Sequence, residues 1–318
     1  MENRNNVTEF VLLGLTQNPK LQKVVSVVFL VIYIISVVGN MFIMVTIIVS
    51  PLRSSPMYFF LAYLSFIDAC YSSVNTPKLI FDSLHERKTI LFNGCMTQIF
   101  GEHFLGSAEA ILLTVMAYDR YVAICKPLHY TSIMNWRVRY AMVSACYAGA
   151  FLHSFVQGLL IINLPFCGPN EIDHYFCDVY PLLTLACTDT YRVGILEIIL
   201  ASATFNEVSR LMIILTSYVC IIITVLKMPS TGGRHKAFST CASHLTAITI
   251  FHGSILFLYC VPNSKSSWLM VKVASVFYSM VIPMLNPLIY SLRNKDVKAA
   301  VRKLINTNLI CQLMINVK

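Results

Sequence analysis

Seven long apolar segments, separated by short polar connectors, run along the 318-residue chain. A helix that crosses the hydrocarbon core of a bilayer needs roughly 20 mostly apolar residues, and its backbone must be hydrogen-bonded internally. With only 12% charged residues, the chain is poorer in charge than a soluble protein, so we predict an all-α membrane protein with a seven-transmembrane helix bundle. The predicted spans are approximately residues 24–50, 57–81, 95–124, 140–163, 193–227, 236–261 and 269–292.

Lys and Arg residues predict the orientation of this single transmembrane domain, because basic residues concentrate on the cytoplasmic side. If residues 1–23 are extracellular and 293–318 form a cytoplasmic tail, the inner segments hold 14 basic residues against two acidic ones. The sequon at Asn6 agrees with an outer N-terminus and predicts glycosylation there. Residues 294–305 are spaced as a short amphipathic helix on the membrane surface. We therefore expect a multi-pass plasma-membrane protein whose basic inner face contacts anionic membrane lipid.

Four cysteines fall on the predicted outer side, where the environment is oxidising. Cys95 opens the third span, and Cys167, Cys177 and Cys187 lie in the connector between the fourth and fifth spans. Their even number predicts two disulfides, and the residues alone leave three pairings open.

Acidic residues inside apolar spans need a partner, a proton or water. At about 1.5 Å per residue, Asp68 and Glu109 lie at a similar depth, roughly 16 Å from the inner face, and Asn40 lies near that level. Two carboxyl groups at one level repel unless they are protonated or bridged by a cation. We predict either a sodium or proton site or a buried polar network that only joins helices.

Several polar groups lie in the outer halves of the third, fifth and sixth spans, where helices commonly part to form a ligand pocket. Gly106 is expected to open the wall of that pocket, and Glu207 is spaced to pair with Arg210. A purely structural role for the histidines is the alternative. The residues predicted to contact a small ligand are Glu102, His103, Gly106, Ser107, Ser202, Asn206, His252, Ile255 and Tyr259.

The inner ends of the spans carry a charged pair and a proline that suit a conformational switch. Release of Arg120 from Asp119 would free a guanidinium for a partner. Pro287 should kink the seventh span, and Asn286 is expected to fill part of the resulting hydrogen-bond gap. Ordinary tolerance of proline in membrane helices is the alternative. The residues predicted to take part in activation and coupling are Asp119, Arg120, Tyr121, Tyr218, His244, Asn286, Pro287 and Tyr290.

Several motifs, found in order along nearly the whole chain, resemble those of odorant receptors, a branch of the rhodopsin-like G-protein-coupled receptors. They are residues 56–61, 64–65, 119–121, 239–241, 244–245 and 283–294. Arg210 and His252 depart from the residues usual in that family.

This resemblance implies a receptor, not an enzyme, for a small, mostly apolar volatile molecule. It also implies coupling to the olfactory stimulatory heterotrimeric G protein, a rise in cyclic AMP and residence in the cilia of olfactory neurons. No cofactor is implied beyond a possible sodium ion at Asp68. Among the three open disulfide pairings, the resemblance selects Cys95–Cys177 and Cys167–Cys187.

Other classes of membrane protein fit the sequence less well. A transporter or channel would commonly show paired halves with broken helices at matching positions, which this chain does not. An intramembrane enzyme using Glu109, His103 or His252 would need a nucleophile–base or metal-ligand spacing, and none stands out. Nucleic-acid binding has no support, because the basic residues flank membrane spans.

Overall fold

Helices dominate the computed structural model, which describes residues 7–166, 170–187, 189–260, 268–293 and 295–306. A 3-10 turn, Pro51–Ser54, joins the first two long helices, and a π-helical turn, Phe277–Val281, interrupts the last span. The helices are α1 (Pro19–Val49), α2 (Pro56–Leu84), α3 (Phe92–Cys125), α4 (Tyr130–Ile133), α5 (Trp136–Ile162), α6 (Val179–Leu183), α7 (Asp189–Lys227), α8 (Thr231–Cys260), α9 (Trp268–Val276), α10 (Ile282–Arg293) and α11 (Lys295–Asn306).

Within these ranges, six helical segments are long and apolar enough to cross a membrane. They are α1, α2, α3, α5, Phe205–Lys227 of α7 and Leu269–Ile289, which runs from α9 into α10. A shorter apolar stretch, His244–Phe257, lies within α8 and provides the seventh span. The prediction of a multi-pass seven-helix bundle with a short amphipathic C-terminal helix is confirmed.

The side chains of α1 show how the bundle faces lipid. Val27, Ile34 and Val38 are exposed, whereas Ser36 and Asn40 are completely buried. Apolar side chains therefore lie outside and polar ones inside, where they can hydrogen-bond to neighbouring helices.

Several helices extend beyond the predicted hydrophobic spans. Asn18 caps the start of α1 by accepting a hydrogen bond from the backbone N–H of Lys20, so this helix begins at Pro19. Similarly, α2 continues through Pro77 to Leu84. Hydropathy marks the part of a helix inside hydrocarbon, but capping residues set where the helix ends.

A three-stranded sheet covers part of the end of the bundle that the sequence predicts to be extracellular, here called the outer end. Strand β1 (Glu9–Leu12) pairs antiparallel with β2 (Thr89–Leu91) and parallel with β3 (Glu171–Ile172). Phe10 and Leu12 of β1 are fully buried among apolar residues of the outer loops. The N-terminal segment is therefore packed into the outer surface, which the sequence analysis did not predict.

Disulfide bonding ties the long outer connector to α3. The predicted Cys95–Cys177 bond is confirmed, with 5.4 Å between the Cα atoms. Gln98, nearly one turn along α3, accepts a hydrogen bond of 2.9 Å from the backbone N–H of Cys177. Cys187 is also disulfide-bonded, and its predicted partner, Cys167, lies outside the described residues. The predicted glycosylation site, Asn6, also lies outside them.

Helix α3 lies at the centre of the bundle and contacts α2, α5, α7 and α8. Ala108, Ala110 and Ala117 are buried on it, and such small side chains let helices approach closely. Polar residues at successive levels of α3 can therefore reach several neighbouring helices.

Candidate functional site

A buried polar centre joins α2, α3 and α10 in the middle of the bundle. The Asn286 Nδ2 donates hydrogen bonds to Asp68 Oδ2 at 2.9 Å and to Glu109 Oε1 at 3.3 Å. Asp68 and Glu109 are completely buried, and Asn286 is nearly so. The structure thus brings together the two acids that the sequence placed at one depth, and the bridging residue is Asn286.

Three oxygen atoms of this centre have no hydrogen-bond partner among the residues that the structure describes. They belong to Asp68 (Oδ1), Glu109 (Oε2) and Asn286 (Oδ1). Carboxylate and amide oxygens are suitable ligands for hard cations, and a proton on one acid would also relieve the repulsion. The residues present therefore fit a sodium ion or a shared proton.

Asn40 takes a different role from the one predicted. Its Nδ2 donates to the carbonyl oxygen of Pro283 at 2.8 Å and to that of Ser36 at 2.9 Å. Pro287 has no N–H, so the Pro283 carbonyl, four residues earlier, lacks its usual helical donor. Asn40 supplies this donor, and the prediction that Asn286 would do so is wrong.

Close packing of α1 against α10 makes this replacement possible. A Cβ atom placed on Gly39 would lie 3.5 Å from the Pro287 ring, which is an ordinary van der Waals distance, so the two helices are packed closely at this level. Asn40 therefore stabilises the proline-containing helix and is hydrogen-bonded to the backbone rather than to the two acids.

At the inner end of α3, Arg120 is held in a small polar cluster. Its guanidinium pairs with the neighbouring carboxylate of Asp119. The Tyr130 hydroxyl, on the short helix α4, donates to the other oxygen of Asp119 at 2.9 Å, and the Arg120 Nη2 lies 3.5 Å from the same hydroxyl. Burial, and secondarily the Asp119 charge, raise the pKa of Tyr130, so its hydroxyl remains a donor at neutral pH. Tyr130 was not predicted as a functional residue.

A second inner contact joins α7 to α8. The Tyr218 hydroxyl lies 2.6 Å from His244 Nδ1, and both side chains are buried. Tyr121 packs at the edge of the main apolar core. The side chain of Tyr290 lies outside the described part of the structure. Asp119 and Arg120 therefore form one contact with Tyr130 of α4, and Tyr218 and His244 form a second between α7 and α8. Asn286, also predicted as a switch residue, lies instead in the buried polar centre.

In the outer half of α3, Glu102 is buried and accepts a hydrogen bond from the side chain of Asn75 of α2. The space beside Gly106 is filled rather than open, since a Cβ atom there would lie 3.1 Å from the Tyr71 hydroxyl. The expectation that Gly106 leaves an opening in the pocket wall is therefore wrong. Both residues help to pack α3 against α2.

Facing this region, α7 and α8 are joined by a buried acid–base pair. Glu207 Oε1 lies 2.5 Å from His252 Nδ1, and both residues are almost completely buried. Helical spacing had suggested Arg210 as the partner of Glu207, but spacing reveals only neighbours on the same helix. The Arg210 Nε donates to the Asn206 backbone carbonyl at 3.0 Å, and the Asn206 side chain lies 3.5 Å from His153 of α5.

The other predicted ligand residues are distributed over the same three helices. His103 and Ser107 of α3, Ser202 of α7 and Ile255 of α8 are half-buried. The Tyr259 side chain lies outside the described part. The structure thus brings His252 together with Glu207, while Glu102 and Gly106 face α2.

The outer loops contain buried polar groups that sequence reasoning missed. Lys272, near the start of the seventh span, contacts Asp173 at 2.7 Å and the Gly14 carbonyl at 3.0 Å. Burial, assisted by the Lys272 charge, lowers the pKa of His174 to about 3, and burial raises the pKa of Asp178 to about 6. A cleft between the N-terminal segment and α2 is lined by Asp82 and Tyr175, away from the predicted ligand residues.

Comparison with known proteins gives consistent matches over nearly the full length. The family profile described as "Olfactory receptor" matches residues 29–308. The chain is 52% identical to human (Homo sapiens) Olfactory receptor 4S2, over 98% of this chain and 99% of that protein. It is 51% identical to Olfactory receptor 5AP2 of Mus musculus, over 97% of both. Human Olfactory receptor 5D18 is 53% identical, over 94% of this chain and 95% of that protein.

Proposed function

The chain belongs to the olfactory receptor family, and from this premise we propose that it binds a small, mostly apolar volatile ligand and activates the olfactory stimulatory heterotrimeric G protein. Activation raises cyclic AMP. Members of this family are receptors, and the chain is not an enzyme.

The ligand binds between α3, α7 and α8. Of the predicted ligand residues, His103 lies on α3, Asn206 on α7 and Ile255 on α8, and the buried Glu207–His252 pair joins the last two of these helices. Mostly apolar walls with a few polar groups are typical of small-molecule sites. Binding there favours one arrangement of α7 and α8 over another, and so shifts the equilibrium between inactive and active states.

The observation that carries this proposal is the confinement of Arg120 at the inner end of α3. Asp119 neutralises its charge and Tyr130 hydrogen-bonds to both residues, so the guanidinium is unavailable to a partner. Outward movement of the inner end of α8 breaks the Tyr218–His244 contact and exposes Arg120 to a G-protein helix. Such a change is a two-position rearrangement of packed helices.

The polar centre of Asp68, Glu109 and Asn286 acts as a sodium or proton site coupled to this change. It joins α2 and α3 to the kinked α10, so a cation or proton held there stabilises the arrangement in which the three helices are close. Asn40 holds the kink from the other side.

The N-terminus is extracellular, the basic inner face contacts anionic lipid, and the receptor resides in the cilia of olfactory neurons. The charge distribution supports this orientation, and the exposed Lys298, Arg302 and Lys303 of α11 add to the basic face.

An odorant panel tests the proposal, with cyclic AMP and direct ligand binding measured in parallel on the same cells. Arg120→Ala should abolish the cyclic AMP response while ligand binding persists, because Arg120 is remote from the ligand site. Arg137→Ala is a matched control, since Arg137 is an exposed arginine at the start of α5 on the same side. A normal cyclic AMP response from Arg120→Ala would contradict the assigned role.

A further inference from the structure

One nitrogen of the buried Glu207–His252 pair is left without a protein partner. His252 Nδ1 is bound to Glu207, but Nε2 has no hydrogen-bond partner anywhere in the described ranges of the chain. His252 is only 2% exposed, so water does not readily replace the missing partner. A buried polar atom without a partner is costly, and such an atom inside a binding region is satisfied when a suitable ligand group arrives.

Glu207 fixes which nitrogen of the imidazole carries hydrogen. An ionised carboxylate only accepts hydrogen bonds, so the Nδ1 that faces it must be the protonated nitrogen. In neutral His252, Nε2 is then a hydrogen-bond acceptor; in the imidazolium form, Nε2–H is a donor. Glu207 is thus a positioning residue that acts through His252.

Only some ligand groups can pair with Nε2 in both forms. A hydroxyl group donates to the neutral form and accepts from the charged form. A carbonyl or an ether oxygen can only accept, so it pairs with the charged form alone, and a hydrocarbon pairs with neither. A hydroxyl therefore satisfies Nε2 whichever charge state His252 adopts.

The surroundings of His252 select the rest of the ligand. Phe251, the preceding residue, is buried, and Ile255, about one turn outward, packs against the main apolar core. His252 lies eight residues outward from His244, which is roughly 12 Å along α8. Phe251 and Ile255 thus offer apolar surface for the hydrocarbon part of a ligand whose polar group reaches Nε2.

We propose that His252, positioned by Glu207, recognises a hydroxyl group, so that the preferred ligands of this receptor are small apolar alcohols. This assignment rests on the proposed function, because the ligand must enter between α3, α7 and α8. It adds the chemical class of the ligand and the two residues that select it.

Direct binding to the purified full-length receptor in lipid nanodiscs tests the assignment without any G protein. The probes are an alcohol, an aldehyde, a methyl ether and an alkane of equal length, compared over several chain lengths. The wild-type protein should bind the alcohol about tenfold more tightly than the aldehyde or ether, as expected for one well-placed hydrogen bond. In His252→Phe this preference should fall to about twofold or less, since a phenyl ring cannot form the bond.

Variants of Glu207 test its positioning role. Glu207→Gln retains an oxygen that accepts from Nδ1, so the alcohol preference should persist, whereas Glu207→Leu should weaken it.

If His252→Phe alone does not fold, the double variant Glu207→Leu with His252→Phe removes both polar groups together and should also lose the preference. His85→Phe, at the exposed outer end of α2, is the matched histidine control and should bind as wild type does.

An alcohol preference that survives in His252→Phe or in the double variant would overturn the assignment while leaving the receptor function intact. Binding of aldehydes and alcohols with equal affinity by the wild-type protein would do the same. If no volatile molecule from a broad panel binds at all, the proposed function itself fails, and the assignment fails with it.

Discussion

Removal of one hydroxyl group at the inner end of the bundle should make the receptor signal without a ligand. In Tyr130→Phe, the bond from the tyrosine hydroxyl to Asp119 at 2.9 Å is lost, and so is the weaker contact from Arg120 at 3.5 Å. The ring remains, so packing around it is preserved. Only the closed arrangement, in which Asp119 and Arg120 are paired, is weakened.

The size of the effect follows from the kind of hydrogen bond that is lost. Bonds to charged groups contribute about 1.5–3 kcal/mol, and because Tyr130 is half-buried the lower limit applies. A loss of about 1.4 kcal/mol changes an equilibrium tenfold. If the active state holds about 1% of the unliganded receptor, its share should rise to roughly 10%.

The measurement is ligand-independent cyclic AMP, normalised to receptor at the cell surface, which should rise about tenfold in Tyr130→Phe. Tyr140→Phe is the matched control, because Tyr140 is an exposed tyrosine near the same inner surface, where it stacks on Trp136. Basal signalling in Tyr130→Phe equal to or below that of wild type would refute the idea that Tyr130 helps to confine Arg120.

Three further predictions concern the polar centre, the kinked helix and the outer loops. Asn40→Leu should lower the stability of the purified protein by about 1–3 kcal/mol in thermal unfolding, because the buried Pro283 carbonyl loses its donor. The control is Asn163→Leu, which loses a similar hydrogen bond at an exposed site and should change the stability little. Replacing potassium by sodium should raise the melting temperature of wild type but not of Asp68→Asn, and an equal sodium effect in both would contradict a cation site there. His174 has a lowered pKa, so its contribution to stability is complete above the unfolded value of 6.5 and declines as the pH falls toward about 3. Asp178 has a pKa raised to about 6, so its contribution to stability changes in the opposite direction and grows as the pH falls from about 6 to 4. Because His174→Phe removes the histidine contribution, the loss of stability between pH 7 and 5 should be smaller in this variant than in wild type, as measured by thermal unfolding.

Local hydropathy predicted the helical bundle, because six helical segments in the described ranges carry an apolar run long enough to cross a membrane. The start of α1 and the end of α2 lay beyond the predicted limits. Asn18 caps α1, and the polar residues Asp82 and Ser83 extend α2 beyond its apolar run. The Cys95–Cys177 bond was identified only through family resemblance, because the residues alone left three pairings open.

Contacts between distant segments were harder to predict. Strand β1 has only four residues, and its partners lie about 80 and 160 positions further along the chain. Asn40 reaches a carbonyl 243 residues away, and Glu207 pairs with His252 across two helices. Helical periodicity gives the face on which a residue lies, but not which neighbouring helix covers that face.

The distance between the inner ends of α5 and α8 tests the account most directly. Distance labels are attached at positions Arg137 and Gly232, which are both exposed, in receptor held in nanodiscs. The distribution of distances between the two labels is then recorded with and without an odorant that raises cyclic AMP. The account predicts that the odorant increases the population with a longer separation, and that Tyr130→Phe increases it without odorant. An unchanged distribution on addition of that odorant, in a protein that demonstrably binds it, would contradict the release of Arg120 by movement of α8.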